Sequence, residues 1–193
     1  MIAGAIIILN GASSSGKSSL AKSLQAAFPE PFLSAGLDSF LWMLPHRYLD
    51  RPLWDDVLGL ATEAGETGHR LVRGMHRAIS ELARAGNHVV ADHVLVEPSW
   101  LADCAMIFAE FPAWFVGVRC PLAVLEERER KRGDRTLGQA AAQHELVHVH
   151  GVYDIEVDTS RLTPDECAVI IRRTVESGAP FAFKRLRDRR PPS

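Results

Sequence analysis

Cysteine is scarce in this chain. Cys104, Cys120 and Cys167 are the only three in 193 residues. They are widely spaced, form no C-x-x-C pair, and are odd in number, which argues against a disulfide framework of the kind that staples small secreted domains. Buried, reduced thiols in a cytoplasmic protein are the expectation. Charge of one sign is also missing: 22 basic against 24 acidic side chains leave a formal net charge of −2, so there is no basic footprint for nucleic acid. No apolar run approaches the length that spans a bilayer. The apolar N-terminus has neither a basic region nor a cleavage site, which excludes a signal peptide reading. There is no internal repeat and no long low-complexity linker. What remains is 47% hydrophobic and 24% charged, an ordinary globular composition in a length that suits one domain. That domain is expected over residues 1–178, with 179–193 as a basic, flexible tail.

The informative stretch is residues 4–18. The apolar, largely β-branched run Ala5 to Leu9 stops at Asn10, and Gly11-Ala12-Ser13-Ser14-Ser15-Gly16-Lys17-Ser18 then fits G-x-x-x-x-G-K-[ST], the phosphate-binding loop. A helical stripe of Leu20, Ala21, Leu24, Ala27 and Phe28 follows, so the pattern has the strand–loop–helix context that gives it meaning. Gly11 and Gly16 permit backbone angles and approaches that a Cβ would block. Inward N–H groups cradle an anion, and the helix beginning near Lys17, with Ser19 in its first turn, adds its positive end. Lys17 can reach the β- and γ-phosphates of ATP and the Ser18 hydroxyl can ligate Mg²⁺.

Asp38 comes at the end of a short second strand expected over residues 31–37, where parallel α/β sheets open their ligand crevice. A carboxylate there can take the proton of a substrate hydroxyl, or it can cap the helical turn that Ser39 begins. Residues 40–54 crowd apolar and aromatic groups, Trp42 and Met43 among them, and read either as the wall of an acceptor pocket beside Asp38 and Ser39 or as a satellite core cluster. A helix over 62–85 carries an apolar face through Val72, Met75 and Ile79, with Gly86 closing it. The next strand, 88–94, ends its apolar run at Asp92. That carboxylate suits a Mg²⁺ site or a turn, and the adjacent His93 can face the acceptor or flank the strand. His69 and His76, and His144 and His148, lie at helical spacings but lack the further ligands a metal needs.

Trp114 to Val118 is the fourth strand. The helix that follows carries a charge run in which Glu126–Arg130 and Glu127–Lys131 are i,i+4 pairs of a solvated face. Arg128, Arg132 and Arg135 are less well explained that way and suit a lid that closes on the triphosphate. A helix over 138–149, a short strand at 155–157 and a capping box at Thr163-Pro164-Asp165-Glu166 complete the pattern. Five strands alternating with helices give an α/β class with a five-stranded parallel sheet covered on both faces.

Several blocks are similar to the chloramphenicol phosphotransferase family of P-loop kinases. They are Ile8 through Ser18, Leu24-Gln25 with Pro29-Glu30-Pro31, Gly36-Leu37-Asp38-Ser39, Val116 through Cys120, Arg132-Gly133-Asp134-Arg135, and Tyr153 through Thr159. The chain departs from the family pattern at Asp92-His93, where the family has paired carboxylates, and over residues 40–60. The resemblance implies a P-loop kinase-like fold with strand order 2-3-1-4-5. It also implies an ATP- and Mg²⁺-dependent phosphotransferase acting on a hydroxyl of a small molecule, an antibiotic in the family's case. Asp38 would be the base, Lys17 and Ser18 would hold phosphate and metal, and Arg128, Arg132 and Arg135 would form the lid. A kinase for a sugar or nucleoside, and a nucleotide-binding switch protein that uses the basic tail as its handle, are the alternatives. A homo-oligomer is compatible with either.

Overall fold

The computed structural model describes residues 2–45, 65–132 and 137–189. Most of the proposed acceptor wall, from residue 46 to 54, lies outside them, as do Arg135 and the last four residues.

Strand β1 (Ile6–Asn10) is buried at every position. It is flanked by β2 (Phe32–Ser34), β3 (His88–His93), β4 (Ala113–Arg119) and β5 (Ile155–Asp158) in the order β2-β3-β1-β4-β5, and every pairing is parallel. This is the order expected from the resemblance. The two faces of the sheet explain the unbroken apolar run of β1, because a parallel sheet under helices on both sides needs no polar face. Ile6 and Ile8 join one cluster with Val89, Ala91 and Phe115. Ile7 and Leu9 point the other way and join Val90, Val116 and Val118.

The helices are α1 (Lys17–Ala27), α2 (Leu37–Leu41), α3 (Glu66–Arg84), α4 (Pro98–Phe108), α5 (Leu122–Arg132), α6 (Gln139–His144), α7 (Pro164–Ser177) and α8 (Ala182–Asp188). On α3 the stripe Val72, Met75, Ile79 and Ala83 is buried, and Gly86 follows at φ +94°. The expected capping box opens α7: the Thr163 N–H donates to Glu166 Oε2 at 2.8 Å, and the Glu166 N–H donates to Thr163 Oγ1 at 3.3 Å. No helix among the described residues is long and apolar enough to cross a membrane.

Three elements differ from expectation. Strand β2 stops at Ser34 and α2 begins at Leu37. The helix expected over 138–149 is regular only to His144; beyond it the chain continues in turns, with the Leu146 and Val147 N–H groups both donating to the Gln143 carbonyl at 3.2 and 2.9 Å, and the Val147 carbonyl accepts from Asn10 Nδ2 at 2.8 Å. The third difference is at the C-terminus, where residues 182–188 are a docked helix and not a free tail. Phe183 is 2% exposed and stacks on Phe115 at 4.7 Å between ring centres. Asp154 Oδ1 accepts from the N–H groups of Phe181 and Ala182 at 2.7 and 3.0 Å, tying down the start of α8. Arg187 pairs with Glu110 at 2.7 Å and Arg189 donates to the His150 carbonyl at 2.8 Å.

Candidate active-site cleft

The parallel register sets the site. Leu9 lies beside Asp92, and Asn10 beside both His93 and Gly117, so the loop leaving β1 emerges between the C-terminal ends of β3 and β4. Asn10 is fully buried and anchors this crossing. Its Oδ1 accepts from the Leu95 N–H at 2.8 Å, and its Nδ2 donates to Val147 O and Tyr153 Oη, each at 2.8 Å.

Residues 11–18, where the pattern places a phosphate loop, form a tight turn from β1 into α1. A Cβ on Gly11 would sit 2.6 Å from the carbonyl oxygen of Val118. Gly16, at φ +86°, makes the left-handed turn into α1. Ala12, Ser13, Ser14 and Ser15 are buried along the loop, and Ser14 takes φ +61°. Contacts from outside hold the loop: the Ser13 N–H donates to Gln143 Oε1 at 2.7 Å, and Thr159 Oγ1 donates to the Ser15 carbonyl at 2.8 Å. Lys17 is only 8% exposed. Its Nζ donates back to the carbonyls of Gly11 and Ala12 at 2.8 and 2.7 Å. The loop borders a cleft of ≈ 610 Å³ lined also by Ser18, Ser19, Asp38, Asp92, Arg128 and Gln139.

Ser18 Oγ donates to Asp92 Oδ2 at 2.8 Å. Two hard oxygens at the mouth of a phosphate cradle are the donor set that a Mg²⁺ ion takes alongside phosphate oxygens and water. Asp92 in turn depends on Gly36. A Cβ there would fall 1.6 Å from Asp92 Oδ1, so the carboxylate occupies the space that a side chain would fill. Gly36→Ala is therefore expected to leave the chain folded but to swing Asp92 off Ser18. Because displacing a group that orients a ligand typically weakens a metal site about 10- to 100-fold, the Mg²⁺ requirement of nucleotide binding should rise by that order. Titration of Mg²⁺ at fixed nucleotide checks this, and an unchanged requirement would remove Gly36 and Asp92 from the site.

Asp38 is half-buried, lies in the first turn of α2 and lines the cleft. The cap of that helix is Gly36, with no side-chain cap bond, so the capping alternative for Asp38 does not hold. Ser39 is exposed, as are Trp42 at 69% and Met43 at 71%. These three adjoin the cleft in sequence but do not line it among the described residues.

His93 is placed differently from the acceptor contact expected of it. It lies at the cleft floor but is 1% exposed, because side chains alternate along a strand. Asp92 shares a face with Val90, whereas His93 shares the face of Val89 and Ala91, toward α3 and α4. There His93 Nδ1 accepts from the Val94 N–H at 2.8 Å, so its proton sits on Nε2 and is donated to His76 Nε2 at 3.0 Å. His76 then holds its own proton on Nδ1, 2.7 Å from Asp103 Oδ2. Cys104 Sγ lies 3.3 Å from His76 Nε2. Although His76, His93 and Cys104 bring three ligand atoms together, the proton on His93 Nε2 fills the lone-pair position that a metal would need. The group is a buried hydrogen-bond chain. Burial, with His76 and Lys17 nearby, holds the His93 imidazole well below its usual pKa, and burial pushes the Cys104 thiol up.

Arg128 is fixed and not free to swing. Its guanidinium donates to Thr159 Oγ1 at 3.1 Å and to the Thr159 carbonyl at 2.7 Å, and Nη1 is 3.9 Å from where a Gly16 Cβ would be. A cation is thereby parked at the end of the phosphate loop. The side chain of Arg132 and the whole of Arg135 lie outside the described residues.

Gln139 and Gln143, which line the cleft, and buried Glu129, which bonds to the start of α6, do not appear among the sequence candidates. Glu129, in the charge run, is 2% exposed. It lies four residues after buried Leu125 and so shares the inward face of α5, a spacing the sequence does show. Its Oε2 accepts from the Gly138 N–H at 2.8 Å and its Oε1 from the Ala140 N–H at 3.0 Å. Gln139 and Gln143, one turn apart on α6, are 3% and 2% exposed. Behind α6, burial and the Arg119 guanidinium depress His148 to about 3 and His150 to about 4, so both rings are neutral around Tyr153.

A family model described as chloramphenicol phosphotransferase-like protein matches residues 4–176. A Mycobacterium tuberculosis H37Rv protein, provisionally named an O-phosphotransferase, is 34% identical over 200 residues, covering 96% of this chain and 89% of that one. Among solved structures, the M. tuberculosis APS kinase in complex with AMPPNP and APS superposes with a TM-score of 0.62 at 18% identity, covering 92% of this chain and 100% of that one. A sugar kinase from Janibacter superposes at 0.65 with 15% identity, over 90% of this chain and 95% of that one. At such identities these structures establish the P-loop kinase fold.

Proposed function

The chain belongs to the chloramphenicol phosphotransferase-like family and is a phosphotransferase, and from that premise we propose that it moves the γ-phosphoryl group of ATP, with Mg²⁺, to a hydroxyl of a small molecule. The observation that carries this reading is that one cleft gathers Lys17, the Ser18–Asp92 oxygen pair and Asp38. A phosphate cradle, a metal-suited pair and a carboxylate for a substrate proton are the parts that phosphoryl transfer needs.

The mechanism follows from where the residues stand. The loop N–H groups and Lys17 bind the β- and γ-phosphates, and Lys17 gives up its carbonyl contacts to do so. Ser18 and Asp92 would hold the Mg²⁺, which when bound neutralises charge on the phosphates. Asp38 accepts the proton of the acceptor hydroxyl as that oxygen bonds to the γ-phosphorus and the bond to the β,γ-bridging oxygen breaks. ADP leaves with the bridging oxygen. Arg128 offsets charge at the loop, and Arg132 and Arg135 would complete the cation set from the lid segment. Hydroxylated antibiotics fall within the acceptor class that the family description suggests, and the cytoplasm supplies the ATP. The engagement of Arg187 and Arg189 within the chain weighs against the switch-protein alternative.

The experiment is a coupled assay for ADP release at saturating ATP and Mg²⁺ while hydroxylated small molecules are added one at a time. Release above the background rate for at least one class of alcohol is expected. Nucleotide binding with a flat response across sugars, nucleosides and hydroxylated antibiotics would contradict the reading.

A further inference from the structure

Buried polar side-chain atoms are nearly all hydrogen-bonded in folded proteins, and each exception needs a reason. Among the described residues three such atoms have no partner: Ser14 Oγ and both amide atoms of Gln139, Nε2 and Oε1. Both residues line the same cleft. Ser14 belongs to the phosphate loop, and a bound phosphate accounts for it. Gln139 is not accounted for.

The amide of Gln139 is held on a rigid mount. The backbone N–H groups on either side of it, Gly138 and Ala140, are clamped by the two oxygens of buried Glu129. One turn further on, Gln143 Oε1 accepts from the loop N–H of Ser13 at 2.7 Å. Helix α6 is therefore fixed to α5 at one end and to the phosphate loop at the other. A buried carboxylate and a buried amide hold in place a second amide that meets nothing in the protein.

The chemistry of the amide selects its partner. Nε2 donates and Oε1 accepts. The oxygens of an ionised phosphate only accept, so the triphosphate could satisfy Nε2 but not Oε1. A group that satisfies both carries a donor as well as an acceptor, as a hydroxyl or an amide does. Resting on the kinase reading above, we propose that Gln139 recognises the phosphoryl acceptor, and that this acceptor carries a hydroxyl or amide beside the hydroxyl that is phosphorylated. Simple monohydric alcohols leave Oε1 unpaired and are rejected. A site built to hydrogen-bond a substrate group discriminates strongly against the analogue that lacks it.

The test uses Gln139→Met, which keeps the shape and removes both polar ends, with Gln139→Glu as a second variant. An unpaired buried amide destabilises the ligand-free protein, so Gln139→Met should raise its thermal midpoint by about 2–4 °C. Its affinity for AMPPNP with Mg²⁺ should stay within about twofold of wild type, because the phosphates are bound elsewhere. In the transfer assay, wild type should prefer the polyhydroxylated probes chloramphenicol and gluconate to benzyl alcohol, and Gln139→Met should lose that preference through KM for the acceptor. Gln139→Glu, which retains an acceptor but brings a charge, should lose affinity for the same probes. A thermal midpoint that is unchanged or lower in Gln139→Met would overturn the proposal. So would a tenfold loss of AMPPNP affinity, which would place Gln139 on the nucleotide, or benzyl alcohol serving wild type as well as the best polyol. Failure of the kinase reading has another signature, namely wild type that binds no AMPPNP or phosphorylates none of the probes. The thermal midpoint then still decides whether the Gln139 amide stands unpaired in the protein.

Discussion

Lys17→Ala is expected to lower kcat/KM for phosphoryl transfer by about 10³-fold, the order seen when a preorganised charge or donor aimed at the transferred group is removed. Lys17 is the cation built into the loop itself, 8% exposed, with Nζ set against the carbonyls of Gly11 and Ala12. These contacts give the lysine a second role. They hold the loop in its concave form before nucleotide arrives, so truncation removes the charge and also leaves two carbonyls short of a donor, at about 1–3 kcal/mol for a buried group left unmet. Lys17→Met removes both roles while keeping the apolar stem, and so controls for lost packing. Isothermal titration with AMPPNP and a thermal melt distinguish the two roles. Both variants should bind nucleotide weakly. If Lys17→Ala kept wild-type turnover with an intact fold, the loop would not be the phosphate site.

Asp38→Asn should cost about 10² to 10⁴ in kcat, the range for a general base, with little change in nucleotide affinity. The placement of Asp38 supports a chemical role. It sits in the first turn of α2, past a glycine that caps the helix without it, and opens onto the cleft shared with Lys17 and Asp92. Asparagine preserves size and hydrogen bonding while removing the ability to take a proton. A loss confined to kcat, with AMPPNP binding intact, is the pattern of an interaction made during the reaction. Turnover near the wild-type rate with normal folding would remove Asp38 from the role of base.

The parts of this site that the sequence shows are those whose chemistry is local. The loop pattern lies within eight consecutive residues, and the apolar run before it marks a strand covered on both faces. Asp92 lies at the C-terminal end of β3 and Asp38 follows β2 at the start of α2, and strand ends in a parallel sheet face the crevice. The parts it does not show depend on partners far along the chain. Asn10 is 137 residues from Val147 and Ser13 is 130 from Gln143, and no spacing rule links such pairs. Glu129 was legible in part, since it follows Leu125 by four, but its neighbours Glu126, Glu127 and Arg130 invite the reading of a solvated face. His93 illustrates the alternation rule working against proximity: being next to Asp92 in sequence puts its ring on the opposite face of the sheet. The C-terminal segment misled by composition, because a single buried Phe183 and the carboxylate of Asp154 outweigh the basic residues around them.

The central claim is tested most directly by the mass of the acceptor. Wild type with ATP, Mg²⁺ and a panel of hydroxylated compounds should yield a product heavier by one phosphoryl group, with one ADP formed per product and neither formed by Lys17→Ala. ADP formed with inorganic phosphate alone, and no acceptor modified across the panel, would contradict the account.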